Sequence, residues 1–354
     1  MSKLPKSWLR PRLQWLLVAL PVAIVLEIAH GEPVAIFVFS ALAILPLAGL
    51  IGHATEDLAA RSGPQIGGLL NATFGNVTEM TIAIFLIMEG QLAIVKASIT
   101  GSIIGNVLLV LGLSFLIGGW NRKEQRFNRA SASLHSAHLV IAVAALLLPA
   151  LFSLTPEAGD FEVEAVSVGV SVVLLAVYGL GLLFTFKTHR SLFRSTLEHE
   201  EPKWSTGFAV GMLAGATVLV ALMSEFLVGA LEPTVEELGM SELFVGLIVV
   251  PIVGNAAEHS SAILLAAKDK MDVSIEIAIG SSTQIALFIA PVLVFVSLLI
   301  GNELDLIFSR IEIAAVAFSS LILGFIALDG RSNWIEGVQL LAAYLIMAVS
   351  FFYL

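Results

Sequence analysis

Long runs of apolar residues, separated by short polar segments, dominate the sequence. A helix that crosses a lipid bilayer needs about 20 mostly apolar residues. The runs do not alternate polar with apolar positions, as the strands of a membrane barrel would. The pattern therefore predicts an all-α polytopic membrane protein with about eleven transmembrane helices. The predicted spans are 13–31, 33–55, 66–88, 91–118, 134–154, 163–186, 206–231, 242–265, 274–300, 311–328 and 334–353.

The basic residues predict how these spans are oriented. Lys and Arg are enriched in the cytoplasmic loops of membrane proteins. If the N-terminus is cytoplasmic, every Lys and Arg except Lys96 and Arg310 falls on the cytoplasmic side, whereas the outer loops are acidic. An odd number of spans then leaves the C-terminus outside.

Composition excludes several classes of protein. Of the 354 residues, 58% are hydrophobic and only 13% are charged, which a soluble globule of this size cannot accommodate but a bilayer can. The chain has 0 Cys, so disulfides and thiolate metal sites are excluded. A net charge of −10 argues against a nucleic-acid partner. No motif of a nucleotide-binding loop or a hydrolase is present, so we expect neither enzyme activity nor a cofactor. The oligomeric state is left open.

Two segments of the chain resemble each other. Residues 67–79 read GGLLNATFGNVTE and residues 246–258 read GLIVVPIVGNAAE, an offset of 179 positions. The same offset places Gly101-Ser102 on Gly280-Ser281 without a gap. A matched Gly-Asn-x-x-Glu in both segments makes chance similarity of two apolar helices improbable, so the sequence contains an internal repeat.

This repeat predicts the organisation of the chain. A tail and first helix, 1–32, precede a five-helix repeat at 33–186, a cytoplasmic linker at 187–205 and a second five-helix repeat at 206–354. The linker carries a short acidic cluster at Glu198–Glu201. Because five is odd, the two repeats must cross the membrane in opposite directions. Inverted repeats of this kind are common in secondary transporters, whose site lies near the midplane between the repeats.

Two acids lie deep within predicted spans. Glu79 and Glu258 are each about 20 Å from a membrane surface at the rise of an α-helix. An ionised carboxylate at this depth costs about 2.5 kcal/mol or more, so such acids usually serve a cation or a proton. Asn76 and Asn255 precede them by three residues, on the same helix face. Gly75 and Gly254 weaken the helices locally, and broken helices would offer carbonyl oxygens to an ion.

The fourth and ninth spans supply further oxygen atoms. These residues are Ser102, Asn106, Ser281, Ser282, Thr283 and Gln284. Two carboxylates surrounded by amide, hydroxyl and carbonyl oxygens suit Ca²⁺, which takes six to eight oxygen ligands. We also expect His259 and Glu225 to contribute to a proton path or to gating, although His259 could equally form a simple buried hydrogen bond.

Together these motifs resemble those of the cation/proton exchangers, the Ca²⁺:H⁺ antiporters. GNVTE at 75–79 and GNAAEH at 254–259 look like the paired repeat motifs of that family, and so do GSIIGN at 101–106 and GSSTQIALFIAP at 280–291. The segment MSEFLVG at 223–229 is also similar.

The resemblance implies an eleven-helix fold, exchange of cytosolic Ca²⁺ for external H⁺, and essential acids at Glu79 and Glu258. A compact chain of this kind looks prokaryotic, which implies the plasma membrane. Two alternatives remain: a Na⁺-coupled Ca²⁺ exchanger of the same architecture, and a cation channel with an acidic ring. Two inverted halves with one midplane site favour alternating access over a continuous pore.

Overall fold

The computed structural model describes residues 13–156, 158–189, 192 and 204–353. The basic N-terminal tail and the Glu198–Glu201 cluster of the predicted linker lie outside the described residues. The described part of the chain is almost entirely helical, and its one strand pairing is antiparallel, Gln125 opposite Ser332.

Fifteen helices and two short strands follow one another along the described chain. They are α1 (Ala19–Ile28), α2 (Pro33–Phe74), α3 (Val77–Met88), α4 (Leu92–Ile104), α5 (Leu111–Gly119), β1 (Gln125–Arg126), α6 (Arg129–Phe152), α7 (Asp160–Leu183), α8 (Thr206–Gly229), α9 (Leu231–Leu238), α10 (Glu242–Phe244), α11 (Val250–Ala267), α12 (Met271–Gln284), α13 (Ala290–Ile300), α14 (Arg310–Ile326), β2 (Arg331–Ser332) and α15 (Trp334–Phe352). Leu13–Val18 forms a 3₁₀ segment, and π-helical turns occupy Gly105–Val110, Phe184–Thr188, Val245–Val249 and Ile285–Ile289.

Local sequence signals set several helix ends. Asn128 caps α6, accepting hydrogen bonds from the amides of Ala130 and Ser131 at 3.0 and 3.2 Å. Ser309 and Asn333 form capping boxes at the starts of α14 and α15, because a Glu three residues later bonds back to each cap amide. These caps satisfy amides that would otherwise be unpaired at a helix start.

Eight helical segments are long and apolar enough to cross a membrane. They are Pro33–Ser62, Leu92–Gly119, Arg129–Phe152, Asp160–Thr188, Thr206–Gly229, Glu242–Ala267, Met271–Ile300 and Trp334–Phe352. The other three predicted spans coincide with shorter helices: Leu13–Ile28, Val77–Met88 and Arg310–Ile326. The prediction of a multi-span helical membrane protein is therefore supported, whereas the count of eleven stays a prediction.

The boundaries predicted for the second and third spans are wrong. Helical conformation does not stop at residue 55; it runs without interruption from Pro33 to Phe74. The chain nevertheless bends sharply within α2. A Cβ atom on Gly67 would lie 2.7 Å from the carbonyl oxygen of Ala59, eight residues earlier. In a straight helix, eight residues cover about 12 Å. The chain reversal expected between the two spans is thus made inside a bent helix rather than by a polar loop.

The helices divide into a central and a peripheral set. The most apolar part of Leu92–Gly119 is 78% buried, whereas that of Asp160–Thr188 and of Trp334–Phe352 is 22% buried. A central helix surrounded by others can carry polar groups facing protein, whereas a peripheral helix presents apolar side chains outward. Most of the candidate site residues lie on α3, α4, α11 and α12 or in the turns next to them, and α11 contacts the other three helices; Glu225 lies on α8.

Two helices of the central set cross very closely. A side chain at Gly101 of α4 would collide with the backbone of Leu247, and one at Gly246 would lie 2.5 Å from the Cβ of Ala97. Pro251 has no amide hydrogen, so the Leu247 carbonyl lacks its usual α-helical donor and faces α4 instead. The paired glycines therefore bring α4 and the chain entering α11 into backbone contact.

Candidate functional site

The break after α2 places Glu79 in the protein interior. Gly75 and Asn76 separate α2 from α3, and Glu79 is the third residue of α3. Its side chain is buried, with 8% of the residue exposed, and its Oε1 accepts a hydrogen bond of 3.0 Å from the Ser102 hydroxyl of α4. The broken helix expected at Gly75 is thus present, and it delivers the acid to the face of α4.

Asn76 reaches across to the second half of the chain. Its Nδ2 donates to Gln284 Oε1 at 2.6 Å, and its Oδ1 accepts from the Ser281 hydroxyl at 3.1 Å. Both partners belong to the last turn of α12. Asn76 therefore uses its donor and its acceptor on the opposite repeat, rather than on Glu79 of its own half.

Asn255 makes the corresponding bond in the other direction. Its Nδ2 donates to the Ser102 hydroxyl at 3.1 Å, and also to the Pro251 carbonyl at 3.1 Å. Ser102 in turn donates to Glu79, so a hydrogen-bonded chain runs from α11 through α4 to α3. Each Asn of the repeated motif thus contacts the Ser of the other half, with Asn76 on Ser281 and Asn255 on Ser102.

The glycines of the motif lie against the opposite acids. A Cβ atom on Gly75 would lie 3.3 Å from Glu258 Oε1, and one on Gly254 would lie 2.7 Å from Glu79 Cγ. Each acid therefore occupies the space left by the glycine of the other half. The two carboxyl groups are also close enough to interact electrostatically.

The expectation of a broken helix at Gly254 is wrong. α11 continues through Gly254 and Asn255 as far as Ala267, and Pro251 lies in its first turn, directly after the π-helical turn. Pro251 lies inside the continuous helical segment Glu242–Ala267, and the π-helical turn before it accommodates a residue that has no amide hydrogen. In this half the glycine provides close contact with Glu79 rather than a gap in the helix.

Several buried polar atoms of the site have no hydrogen-bond partner. They are Glu258 Oε2, Asn255 Oδ1 and Asn106 Nδ2. Within the described residues no Lys or Arg forms an ion pair with Glu79 or Glu258. Two carboxyl groups without a basic partner, beside an unpaired amide oxygen, form a set of acceptors that a cation or protons can satisfy.

Space beside Glu79 is small. A cavity of about 10 Å³ touches Glu79 and Ser102, and apolar side chains of α13 and of the π-helical turn that follows α12 also line it. That volume is near the minimum for one water molecule. Glu258 also interacts electrostatically with Glu56, an exposed residue of α2. A larger cavity of about 260 Å³ lies among α9, α10 and the start of α4, and its lining includes Glu232, Glu236 and Glu242.

His259 joins the halves at a second point. Its Nε2 lies 3.0 Å from Asn106 Oδ1, and both residues are buried. Since the amide oxygen can only accept, the imidazole carries its hydrogen on Nε2. His259 therefore makes the buried hydrogen bond that was one of its two expected roles.

Three predicted residues are not brought into this cluster. The Thr283 hydroxyl lies 3.0 Å from the Ile279 carbonyl and 3.1 Å from His135 Nδ1, so its contacts are outside the cluster. The Ser282 hydroxyl lies 3.1 Å from the Ala278 carbonyl and 3.4 Å from that of Ile103, so it faces backbone. Glu225 is exposed and lies near the C-terminal end of α8, not deep in the protein. Its apolar neighbours in the sequence suggest depth, but the acid lies within the last turn and a half of its helix.

The sequence interpretation misses a polar contact next to the site. Glu276 of α12 lies 3.1 Å from His135 of α6, whose other ring nitrogen lies 3.1 Å from Thr283. Both residues lie near the ends of apolar runs, where a charged residue ordinarily marks the boundary of a span. Glu276 and Thr283 are about two helical turns apart and so share a helix face, and this spacing is the sequence signal that could have indicated the contact.

Both halves of the chain match the same protein family. The model of the family described as sodium/calcium exchanger protein matches residues 32–187 and again residues 208–353. The chain belongs to this family. The two matches cover both halves of the exchanger separately, with the linker between them.

Two relatives align with this exchanger over nearly their full length. A Ca²⁺/H⁺ antiporter from Aphanothece halophytica is 43% identical, covering 96% of this chain and 95% of the relative. The Ca²⁺/H⁺ antiporter ChaA of Bacillus subtilis is 44% identical, covering 97% and 99%. Among solved structures, that of native YfkE superposes with a TM-score of 0.86 at 40% identity, covering 97% of this chain and 99% of that chain.

Proposed function

We propose that this exchanger carries Ca²⁺ in one direction and H⁺ in the other, with both ions using Glu79 and Glu258. The observation that carries the proposal is the placement of two carboxyl groups, each against the glycine of the opposite half, without a basic partner among the described residues. Glu79 is buried, and Glu258 is half-buried with its Oε2 atom enclosed and unpaired. The names of the relatives at 43% and 44% identity support Ca²⁺ and H⁺ as the exchanged ions.

Charge balance links the two ions. Two carboxylates neutralise one Ca²⁺, and the amide and hydroxyl oxygens around them provide further hard ligands. The candidates are Asn76, Asn255, Ser102, Ser281 and Gln284, which already contact one another across the halves. Without the cation, two neighbouring carboxylates in a low-dielectric interior are costly, and binding protons removes that cost. Ca²⁺ and H⁺ therefore compete for the same groups.

The two-fold arrangement suggests how the site opens to each side. We propose alternating access by two inverted five-helix repeats, 33–186 and 206–354, after a first helix within 1–32, with the linker at 187–205. The separate family matches to each half support this organisation. The π-helical turns also support this organisation. One begins shortly after Ser102 and the other directly after Gln284. Their residues 106–110 and 285–289 are separated by the same offset as the repeated motifs.

The distribution of basic residues supports an orientation in the plasma membrane with the N-terminus cytoplasmic and the C-terminus outside. Glu56 then lies on the cytoplasmic side, where it interacts with Glu258 and can attract cations toward the site. The acids around the cavity of α9 and α10 lie on the outer side.

Uptake of ⁴⁵Ca²⁺ into proteoliposomes with an imposed pH gradient tests the proposal. We expect uptake against the Ca²⁺ gradient that saturates with Ca²⁺, needs the pH gradient and is the same with or without Na⁺. Uptake that requires Na⁺ would support the sodium-coupled alternative. Flux that never runs uphill would support a channel, and either result would refute Ca²⁺/H⁺ exchange.

A further inference from the structure

A second set of titratable side chains lies between α6 and α12, separate from the two carboxyl groups of the site. His135 Nε2 lies 3.1 Å from Glu276 Oε1, and His135 Nδ1 lies 3.1 Å from the Thr283 hydroxyl. The other carboxyl oxygen of Glu276 accepts a hydrogen bond from Ser131. The His135 side chain is 16% exposed and that of Glu276 33% exposed, so protons can reach the pair from outside the core.

Hydrogen-bond accounting shows how many protons this geometry holds. The Thr283 hydroxyl lies 3.0 Å from the Ile279 carbonyl and donates its only hydrogen there. It can then only accept from His135, so Nδ1 carries a hydrogen. The contact between Nε2 and Glu276 needs one more proton, because two bare acceptors would repel each other. The observed arrangement is therefore a neutral pair that shares a proton between His135 and Glu276.

Loss of that proton forces a rearrangement. A neutral imidazole has one hydrogen, and the Glu276 carboxylate requires it on Nε2. Nδ1 then becomes an acceptor, so the Thr283 hydroxyl must turn from the Ile279 carbonyl toward His135. The pair gains a negative charge at the same time. Thr283 lies between Ser282 and Gln284, in the turn of α12 that holds Asn76.

We propose that His135 and Glu276 form a second proton-binding site and that Thr283 transmits its occupancy to the last turn of α12. The coupling to Ca²⁺ rests on the proposed function. Deprotonation adds a negative charge on the cytoplasmic side of the site, which favours the cation, and removes a backbone bond in the turn that holds Asn76. Apparent Ca²⁺ affinity therefore gains an additional dependence on pH.

Few other charged groups face this pair. Asp272, one turn earlier on α12, accepts a hydrogen bond from the Asn128 amide. His138 of α6 lies with its ring 6.3 Å from that of His135, and Tyr178 of α7 stacks on Phe288. α14, which also packs on α6, has no titratable side chain between Ile313 and Ile326. Glu276, at hydrogen-bond distance, is thus the titratable group in direct contact with His135, and the His138 ring lies 6.3 Å away.

Nitrogen-15 NMR of histidine-labelled full-length protein in nanodiscs tests the proton site without any transport. The His135 signal is assigned by its loss in His135→Gln. We expect both ring nitrogens to carry hydrogen at acid pH and one to lose it as the pH rises, with a changed midpoint in Glu276→Gln. A His135 signal that neither loses a ring hydrogen nor moves its hydrogen from Nδ1 to Nε2 between about pH 5 and about pH 10, a range that brackets ordinary histidine titration, would refute the second proton site, whatever the outcome for Glu79 and Glu258.

Transport by single variants tests the coupling. In proteoliposomes we expect Glu276→Gln and Thr283→Val to reduce, severalfold, the gain in apparent Ca²⁺ affinity between acid and alkaline pH, while transport at acid pH persists. Thr283→Val should leave the His135 titration in place. Thr217→Val is the matched control, since Thr217 makes the same bond to the carbonyl four residues earlier, at 2.7 Å on α8.

The outcomes of the two experiments separate the hypotheses. If the apparent Ca²⁺ affinity of the Glu276→Gln and Thr283→Val variants changes with pH as much as that of the wild type, even at lower rates, Thr283 does not transmit the protonation state of the pair. That result would overturn the coupling. Normal exchange by Glu79→Gln would instead overturn the proposed function, and the NMR titration would still decide whether His135 and Glu276 bind a proton.

Discussion

Gly254→Ala tests the contact between the two halves directly. The new methyl carbon would lie 2.7 Å from Glu79 Cγ, but carbon atoms in contact prefer about 3.5–4.0 Å. The Glu79 side chain must therefore move by about 1 Å. Its Cα and Cβ, each 3.7 Å from the methyl position, can stay, so the movement falls on the carboxyl end. That end leaves the Ser102 hydroxyl, which it now contacts at 3.0 Å.

The size of the effect follows from the cost of overpacking. Inserting a methyl group into a packed interior costs about 1–3 kcal/mol. If this cost arises only in the Ca²⁺-bound state, it corresponds to an apparent Ca²⁺ affinity that is about 5- to 150-fold weaker. The fold should persist, because Ala is a better helix former than Gly by about 1 kcal/mol, and α11 is continuous at this residue.

The assay is the Ca²⁺ dependence of uptake into proteoliposomes at fixed pH gradient, together with thermal unfolding of the purified protein. Gly211→Ala is the matched control: this glycine is also within a helix, α8, and a Cβ there would meet nothing within 4 Å. Equal Ca²⁺ affinity in Gly254→Ala and Gly211→Ala would refute the reasoning, since it would mean that Glu79 need not occupy the space beside Gly254.

Three further predictions concern the acids, the protons and the orientation. Glu79→Gln and Glu258→Gln should each abolish exchange in a folded protein, because an amide can neither balance the charge of Ca²⁺ nor carry a proton. The control Glu89→Gln, at an exposed residue just beyond α3, should retain exchange. Uptake of ⁴⁵Ca²⁺ at the wild-type rate by Glu79→Gln or Glu258→Gln would contradict a two-carboxylate site. Apparent Ca²⁺ affinity should rise with pH, because protons compete for the same carboxyl groups, and an affinity that is flat from acid to alkaline pH would exclude this coupling. The chain has 0 Cys, so single cysteines can report the orientation. A cysteine at the exposed position Lys123 should react with an impermeant label only from the cytoplasmic side, and one at the exposed position Thr155 only from outside. The reverse pattern would show that the predicted orientation is inverted.

Repetition in the sequence makes part of the site predictable. Identical spacing of Gly, Asn and Glu in two apolar segments places Glu79 and Glu258 at similar depth, and the bilayer makes any acid at that depth conspicuous. The break at Gly75 was expected because Gly weakens a helix, although the same expectation is wrong at Gly254. Such inferences depend on residue type and position along one helix, which a sequence records directly.

Contacts between the halves required the tertiary structure. Nothing in the local sequence indicates that Asn76 bonds Ser281 and Gln284, or that Gly254 makes room for Glu79, because the partners are far apart in the chain. Likewise, α11 continues through Gly254 because its surroundings there support the helix, although the same Gly-Asn pair ends a helix in the first half.

The sequence by itself determined the class of protein, the two acids and the repeat, since these depend on hydrophobicity and spacing along the chain. Only the tertiary structure decided which face each side chain presents. In that structure α2 bends where a loop was expected, and the Ser282 hydroxyl faces backbone carbonyls. Glu225 is exposed, and His135 contacts Glu276. Each of these depends on how two helices cross, and that crossing is set by the packing of residues far apart in the chain.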